Sequence, residues 1–196
     1  MENMPVVKEF IELAKLDCAS RHERLVVDAV TKKLKELGFT VREDDTAAKA
    51  EGEAGNVCAD LEGTAKGCVR FAAHLDRVQN GLGIKPQLKD GNLVSDGTTI
   101  LAADDLSGVA AILDGIRRAL ASGKPYPRIE VLFSVCEEIG VQGTKHLDTS
   151  LFEAKYGFVL DSPGRIGRVL DSAMGKAELF LDIKGKSAHA AYPELG

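Results

Sequence analysis

"RIEVLFSVCEEIGVQGTKHLD", Arg128 to Asp148, is the stretch on which the reading of this chain turns. The largely apolar run from Ile129 to Cys136 has the length of a buried strand, and it ends in two adjacent carboxylates, Glu137 and Glu138. Neighbouring like charges repel, and burying even one of them is costly without a partner. A lysine, an arginine or a metal ion should therefore lie just beyond the strand.

The same arrangement recurs along the chain. "CVRFAAHLD" is an apolar run that ends in His74 and Asp76, and "YGFVLDSPG" ends in Asp161. "LAADDLSG" places Asp104 and Asp105 just before a helix. In open α/β sheets, ligands collect beyond the carboxyl ends of the strands. One histidine and several carboxylates meeting there would form a mixed nitrogen and oxygen site suited to zinc, cobalt or manganese. Taken singly, each motif also has a plainer reading. His74 and Asp76 can be a satisfied buried pair, and Glu137 and Glu138 can be acids at a helix start, where negative charge is favoured. Asp161 can open a turn, and Asp105 can be a helix-start acid and a member of the cluster at once.

Apolar periodicity predicts a helix over Pro5–Leu16 and a second one carrying Leu25, Val26, Ala29, Val30, Leu34 and Leu37, closed by Gly38. Ser20 followed by Glu23 has the spacing of a capping box for that second helix. "FTVRE" reads as a short strand, and the acidic stretch Glu43–Gly55 as a loop in which Asp44 and Asp45 are solvated. "NVCADLEG" and "CVRFAAH" read as two strands joined by a turn around Gly63–Gly67. A long helix is predicted from Asp104 to about Ala121, stopped by Gly123 and Pro125. Strands alternating with helices imply an α/β sandwich around a parallel or mixed sheet. "KAELFLDIKG", Lys176–Gly185, alternates strictly and predicts a strand with one wet face, hence a second domain beginning near residue 176.

The bulk composition agrees. The chain has 196 residues, 44% hydrophobic and 28% charged, as in an ordinary globular protein. A net charge of -5 disfavours nucleic acid or an anionic membrane as partner. The 4 cysteines have neither zinc-knuckle nor redox-dithiol spacing. The start "MENMPVVKEF" lacks the basic and apolar regions of a secretion signal, so the expectation is a cytoplasmic protein with reduced thiols.

Five segments together, "HLDRV", "DGTTILAADDLSGVAAIL", "EEIGVQGTKHLD", "YGFVLDSPG" and "GKSAHAAYPELG", resemble the peptidase T family of tripeptide aminopeptidases. That family lies in a superfamily of dinuclear zinc hydrolases with the glutamate carboxypeptidases and acetylornithine deacetylase. The resemblance implies a three-layer α/β sandwich with a mixed central sheet over residues 1–175, followed by the start of an inserted α+β lid or dimerisation domain at 176–196. It implies two divalent ions, zinc or alternatively cobalt or manganese, with His74, Asp104, Glu138 and Asp161 as metal ligands. Asp104 would bridge the ions through a cis bond to Asp105, Asp161 would complete the sphere of the His74 metal, and Glu138 would bind the other. Asp76 would orient the His74 ring, Glu137 would be the general base and then the acid, and His189 would stabilise the oxyanion.

The function so implied is removal of the N-terminal residue from short peptides, with a homodimer able to form through the lid. Two alternatives stand beside it: an N-acyl-amino-acid amidohydrolase using the same chemistry, and an inactive N-terminal fragment. The last alternative arises because the resemblance covers the N-terminal half of such an enzyme, whose final histidine ligand comes later. Arg77 and Leu106 depart from the family pattern; Arg77 would alter the charge near the substrate or mark a subfamily, whereas Leu106 fits the apolar face of its helix.

Overall fold

The computed structural model describes residues 3–173, 175, 177, 179–182 and 184–195. It divides into two compact units, Met1–Ser162 and Pro163–Gly196, earlier in the chain than the boundary expected at residue 176. The second unit has one short turn of 3-10 helix, Pro193–Leu195. The strand expected over Lys176–Gly185 includes Lys176, Glu178 and Ile183, which lie outside the described residues, and its described members carry no strand.

The first unit is built on a mixed sheet. Its strands are β1 (Thr40–Glu43), β2 (Val57–Leu61), β3 (Cys68–His74), β6 (Arg128–Ser134) and β7 (Gly157–Val159), in the spatial order β1-β2-β6-β3-β7. Between β3 and β6 in the sequence, β4 (Gln87–Lys89) and β5 (Asn92–Val94) form a separate hairpin around Asp90 and Gly91. β2 runs antiparallel to β6, whereas β3 runs parallel to both β6 and β7. β2 and β3, although joined by a short connection, are therefore not neighbours in the sheet. The apolar β6 is inserted between them and is covered along both edges, which suits a strand that is almost wholly buried.

Side chains alternate across the sheet. Ile129, Val131 and Phe133 of β6 lie in one core with Val57 and Ala59 of β2, and with Val69, Phe71 and Ala73 of β3 beside them. Helices α1 (Pro5–Ala14), α2 (Arg24–Glu36) and α4 (Ala103–Ala121) supply the rest of that core through Phe10, Leu13, Val30, Leu34, Val109 and Leu113. α1 starts with Pro5, whose missing N–H would have no helical partner there in any case. α2 buries Val26, Val27, Val30 and Leu34, while Leu25 is exposed because it sits beside that stripe rather than on it. The stretch expected as a loop contains a short helix, α3 (Thr46–Ala50). Asp44 starts it by accepting hydrogen bonds from the Thr46 and Asn56 amides, so Asp44 is not the solvated acid expected; Asp45, exposed, pairs with Lys49. A further short helix, α5 (Gln142–Lys145), follows the Glu137–Glu138 segment.

On the opposite face of the sheet, the buried Glu130 joins the strands that carry the site. Its carboxylate accepts from Arg70 of β3 at 3.1 Å and from the main-chain amides of Glu153 and Ala154, which lead into β7. The Arg70 guanidinium lies over the Phe152 ring, 4.0 Å from its centroid. Burial works against ionisation of Glu130, but those amides and Arg70 outweigh it and hold its carboxyl below the ordinary glutamate range. A lowered native pKa gives stability that is present above the unfolded value of about 4.3 and is lost as the pH falls through the native value. Glu130→Gln should therefore destabilise the fold by roughly 1–3 kcal/mol at pH 7, with the gap to the wild type closing below about pH 4. Urea denaturation across that range measures it.

Candidate metal centre

Three parallel strands deliver their next residues to one edge of the sheet. β3 ends at His74, β6 runs on to Glu137 and Glu138, and β7 runs on to Asp161. α4 begins at the same place with Asp104 and Asp105, joined by a cis peptide. Its close approach depends on Gly108, where a Cβ would overlap the Asp105 carboxylate and the Leu160 carbonyl oxygen.

The segment after β6 leaves the sheet and must find other acceptors for its amides. Val135 N donates to Asn56 Oδ1 at 3.1 Å, and Cys136 N donates to Glu23 Oε1 at 3.0 Å. Glu137 N and Glu138 N donate to the two oxygens of Asp76 at 2.8 and 3.1 Å. Asn56, Glu23 and Asp76 are each fully buried. Ser20 completes the set by donating its hydroxyl to Asp76 at 2.6 Å. The capping box expected of Ser20 and Glu23 does not form: neither side chain caps α2, and both turn towards this segment instead.

His74 Nδ1 lies 2.9 Å from the Asp76 carbonyl oxygen and 3.5 Å from the Asp76 carboxylate. That bond turns Nε2 towards Asp104 at 3.0 Å and Asp161 at 4.0 Å. Potential ligand atoms of His74, Asp104 and Glu138 lie within 4.8 Å of one another, as do those of His74, Asp105 and Asp161. Glu138 thus groups with His74 and Asp104, and Asp161 falls in the other group. Asp105, which the sequence left partly as a helix-start acid, belongs to the cluster.

The cluster is electrostatically frustrated. Burial first, then the neighbouring acids, push the carboxyls of Glu137, Glu138 and Asp161 above their usual range, with His74 opposing. Asp105 is pushed up to about 7 by its own burial and by Asp161 and Asp104, again against the pull of His74. Burial alone would lower the His74 pKa. Its bonds to Asp76 and Asp104, with the charges of Asp76 and Asp105, outweigh that and hold it at about 10. A nitrogen donor facing several crowded oxygens at the sheet edge is a donor set that fits divalent cations of the zinc, cobalt or manganese type. Such a cation would supply the positive charge that the paired glutamates call for.

A model of peptidase family M28 matches residues 56–193, most of the chain and every residue of the cluster. The chain belongs to that family. It is a peptidase T-like member of the zinc exopeptidase superfamily. Aminopeptidase PepT from Bacillus cereus superposes with a TM-score of 0.81 at 42% identity, over 83% of this chain and 44% of that one. A tripeptidase from Staphylococcus aureus superposes with a TM-score of 0.79 at 30% identity, over 82% of this chain and 43% of that one. The uncharacterized protein YqjE of Bacillus subtilis is 38% identical over 97% of this chain and 52% of its own length. The chain therefore spans about half the length of these relatives. No helix among the described residues is long and apolar enough to cross a membrane.

Two further residues of this M28 member lie elsewhere than the sequence suggested or in a separate unit. Arg77 is fully buried and donates to the carbonyls of Ala14 and Leu16 and to Asp17, closing the end of α1. His189 belongs to the second unit, where it is exposed and its Nδ1 accepts from Ala191 N at 3.2 Å. Arg77→Ala should cost about 3 kcal/mol, since it empties a fully buried side-chain site and strands the carbonyl of buried Ala14, yet leave the Zn2+ affinity of the folded protein unchanged. Denaturant titration and a chelator competition assay measure the two separately.

Proposed function

We propose that this chain carries the metal-binding half of a dinuclear aminopeptidase that removes the N-terminal residue from short peptides. The observation that carries the reading is the meeting of His74 with Asp104, Glu138 and Asp161 where β3, α4, β6 and β7 converge. Likeness to a PepT aminopeptidase and a tripeptidase supports the substrate class.

In this reading His74 Nε2, Asp104, Glu138 and Asp161 would hold the ions, with Asp105 beside them. Bound divalent ions, zinc or alternatively cobalt or manganese, would supply Lewis acidity, polarising the scissile carbonyl and bringing the pKa of water down to about 7. Glu137 lies beside the ligands without being needed as one, so it is free to take the proton of the attacking water. It then returns that proton to the leaving amine as the peptide C–N bond breaks. Asp76 holds the His74 ring and the Glu137–Glu138 backbone in one arrangement. His189, or its counterpart in the partner copy of a homodimer, would donate to the developing oxyanion.

The test is hydrolysis of an unblocked tripeptide beside its N-acetylated twin, with and without chelator. Chelator-sensitive cleavage of the free peptide alone is the expected result. Preference for the acetylated twin would turn the reading to a deacylase, and cleavage that survives complete metal removal would overturn the metal mechanism. Glu137→Gln should lower kcat by roughly 10²–10⁴-fold while the variant still binds Zn2+. Saturating Zn2+ at about 100 times Kd should stabilise the wild type by about 2.7 kcal/mol, and His74→Ala should lose that gain.

A further inference from the structure

We propose that Glu23 is a positioning residue: its carboxylate holds the Cys136 main-chain amide and so sets where Glu137 and Glu138 stand. The inference rests on the reading of Glu137 as base and Glu138 as metal ligand.

Glu23 is fully buried at the start of α2, and its carbonyl accepts from Val27 N, yet its side chain caps none of the helix's first amides. Its Oε1 accepts from Arg21 N at 3.0 Å, from Cys136 N at 3.0 Å and from the Cys136 thiol at 3.3 Å. Its Oε2 is buried with no hydrogen-bond partner among the described residues. An acid in that setting is expensive, and a cheaper residue would serve a helix start equally well. Besides the local bond from Arg21 N, its bonds go to Cys136 in the segment it grips. Cys136 stands in the left-handed region at φ 54, which a non-glycine residue adopts only when its surroundings impose it. That bend takes the chain out of β6 and sets Glu137 and Glu138 at the cluster. The same turn of chain supplies Ser20, which grips Asp76, and Asp76 in turn grips the next two amides.

The test compares Glu23→Met, which keeps the volume and removes the acceptor, with Glu23→Gln, which keeps an acceptor oxygen. Two quantities are read on the folded proteins, well below the melting temperature of each. The first is amide hydrogen exchange at Val135–Glu138 in the metal-free state. Glu23→Met should exchange about tenfold faster or more, with Glu23→Gln restoring protection. The second is Zn2+ affinity by chelator competition, together with the Co2+ absorption spectrum. Glu23→Met should weaken Zn2+ binding by roughly 10–100-fold and change the spectrum, and Glu23→Gln should recover both. A residue that served stability alone would lower the melting temperature and leave exchange ranking, affinity and spectrum unmoved, and that result would overturn the proposal. A wild type without saturable Zn2+ binding would instead sink the metal-centre reading, while the metal-free exchange comparison still decides whether Glu23 holds the segment.

Discussion

Four consecutive main-chain N–H groups, Val135 to Glu138, are each bonded to a side-chain oxygen that is itself fully buried. The chain leaves β6 at this point and has no sheet partner to turn to, and an unmatched buried amide costs about 1–3 kcal/mol. The acceptors come from three separate elements: Asn56 at the entry to β2, Glu23 at the start of α2, and Asp76 just past β3. The position of the paired glutamates is thus a consequence of how those elements pack. Asn56 extends the grip, since its amide also donates to Asp44, Thr46 and the Gly143 carbonyl at the head of α5. Gly143 is required there, because a Cβ would overlap the Val135 carbonyl oxygen.

The backbone around the cluster is bent to match. Ala102, Cys136 and Val141 all have positive φ, and each borders a segment that delivers an acid to the sheet edge or leads away from one. Non-glycine residues in that region carry a cost of about 1 kcal/mol or more that surrounding packing must offset. The carboxyls pushed upward by burial and by one another add a second cost. A protein selected for stability alone would bury neither the acids nor the bends. Both are what a site prepared for cations requires, and the apolar core of the sheet and of α1, α2 and α4 supports them.

Much of this was legible in the chain. The apolar runs ending in His74, Glu137 and Asp161 mark strands whose ends share an edge, because parallel strands must finish on the same side. The long helix and its acidic start follow from periodicity at Leu106, Val109, Leu113 and Ile116. Motif order was enough to suggest peptidase T and the α/β sandwich, which the M28 match and the PepT superposition bear out. Local spacing failed where a residue's partner is remote in sequence. Ser20 and Glu23 have capping-box spacing, but Asp76 and Cys136, far along the chain, compete for them and win. Arg77 reads either as a charge near the substrate or as a subfamily mark, and its partners, the carbonyls at the end of α1, are not visible from its own motif.

The sequence by itself determined which side chains carry chemistry and which element presents each one, since apolar period and residue type are local properties. Tertiary structure alone decided the neighbours: that β6 inserts between β2 and β3, that Asp105 faces into the cluster, and that Asn56, Glu23 and Asp76 hold one short segment between them. The physical reason is that a buried amide must be satisfied by whatever oxygen packing brings within about 3 Å, and no spacing along the chain specifies that oxygen.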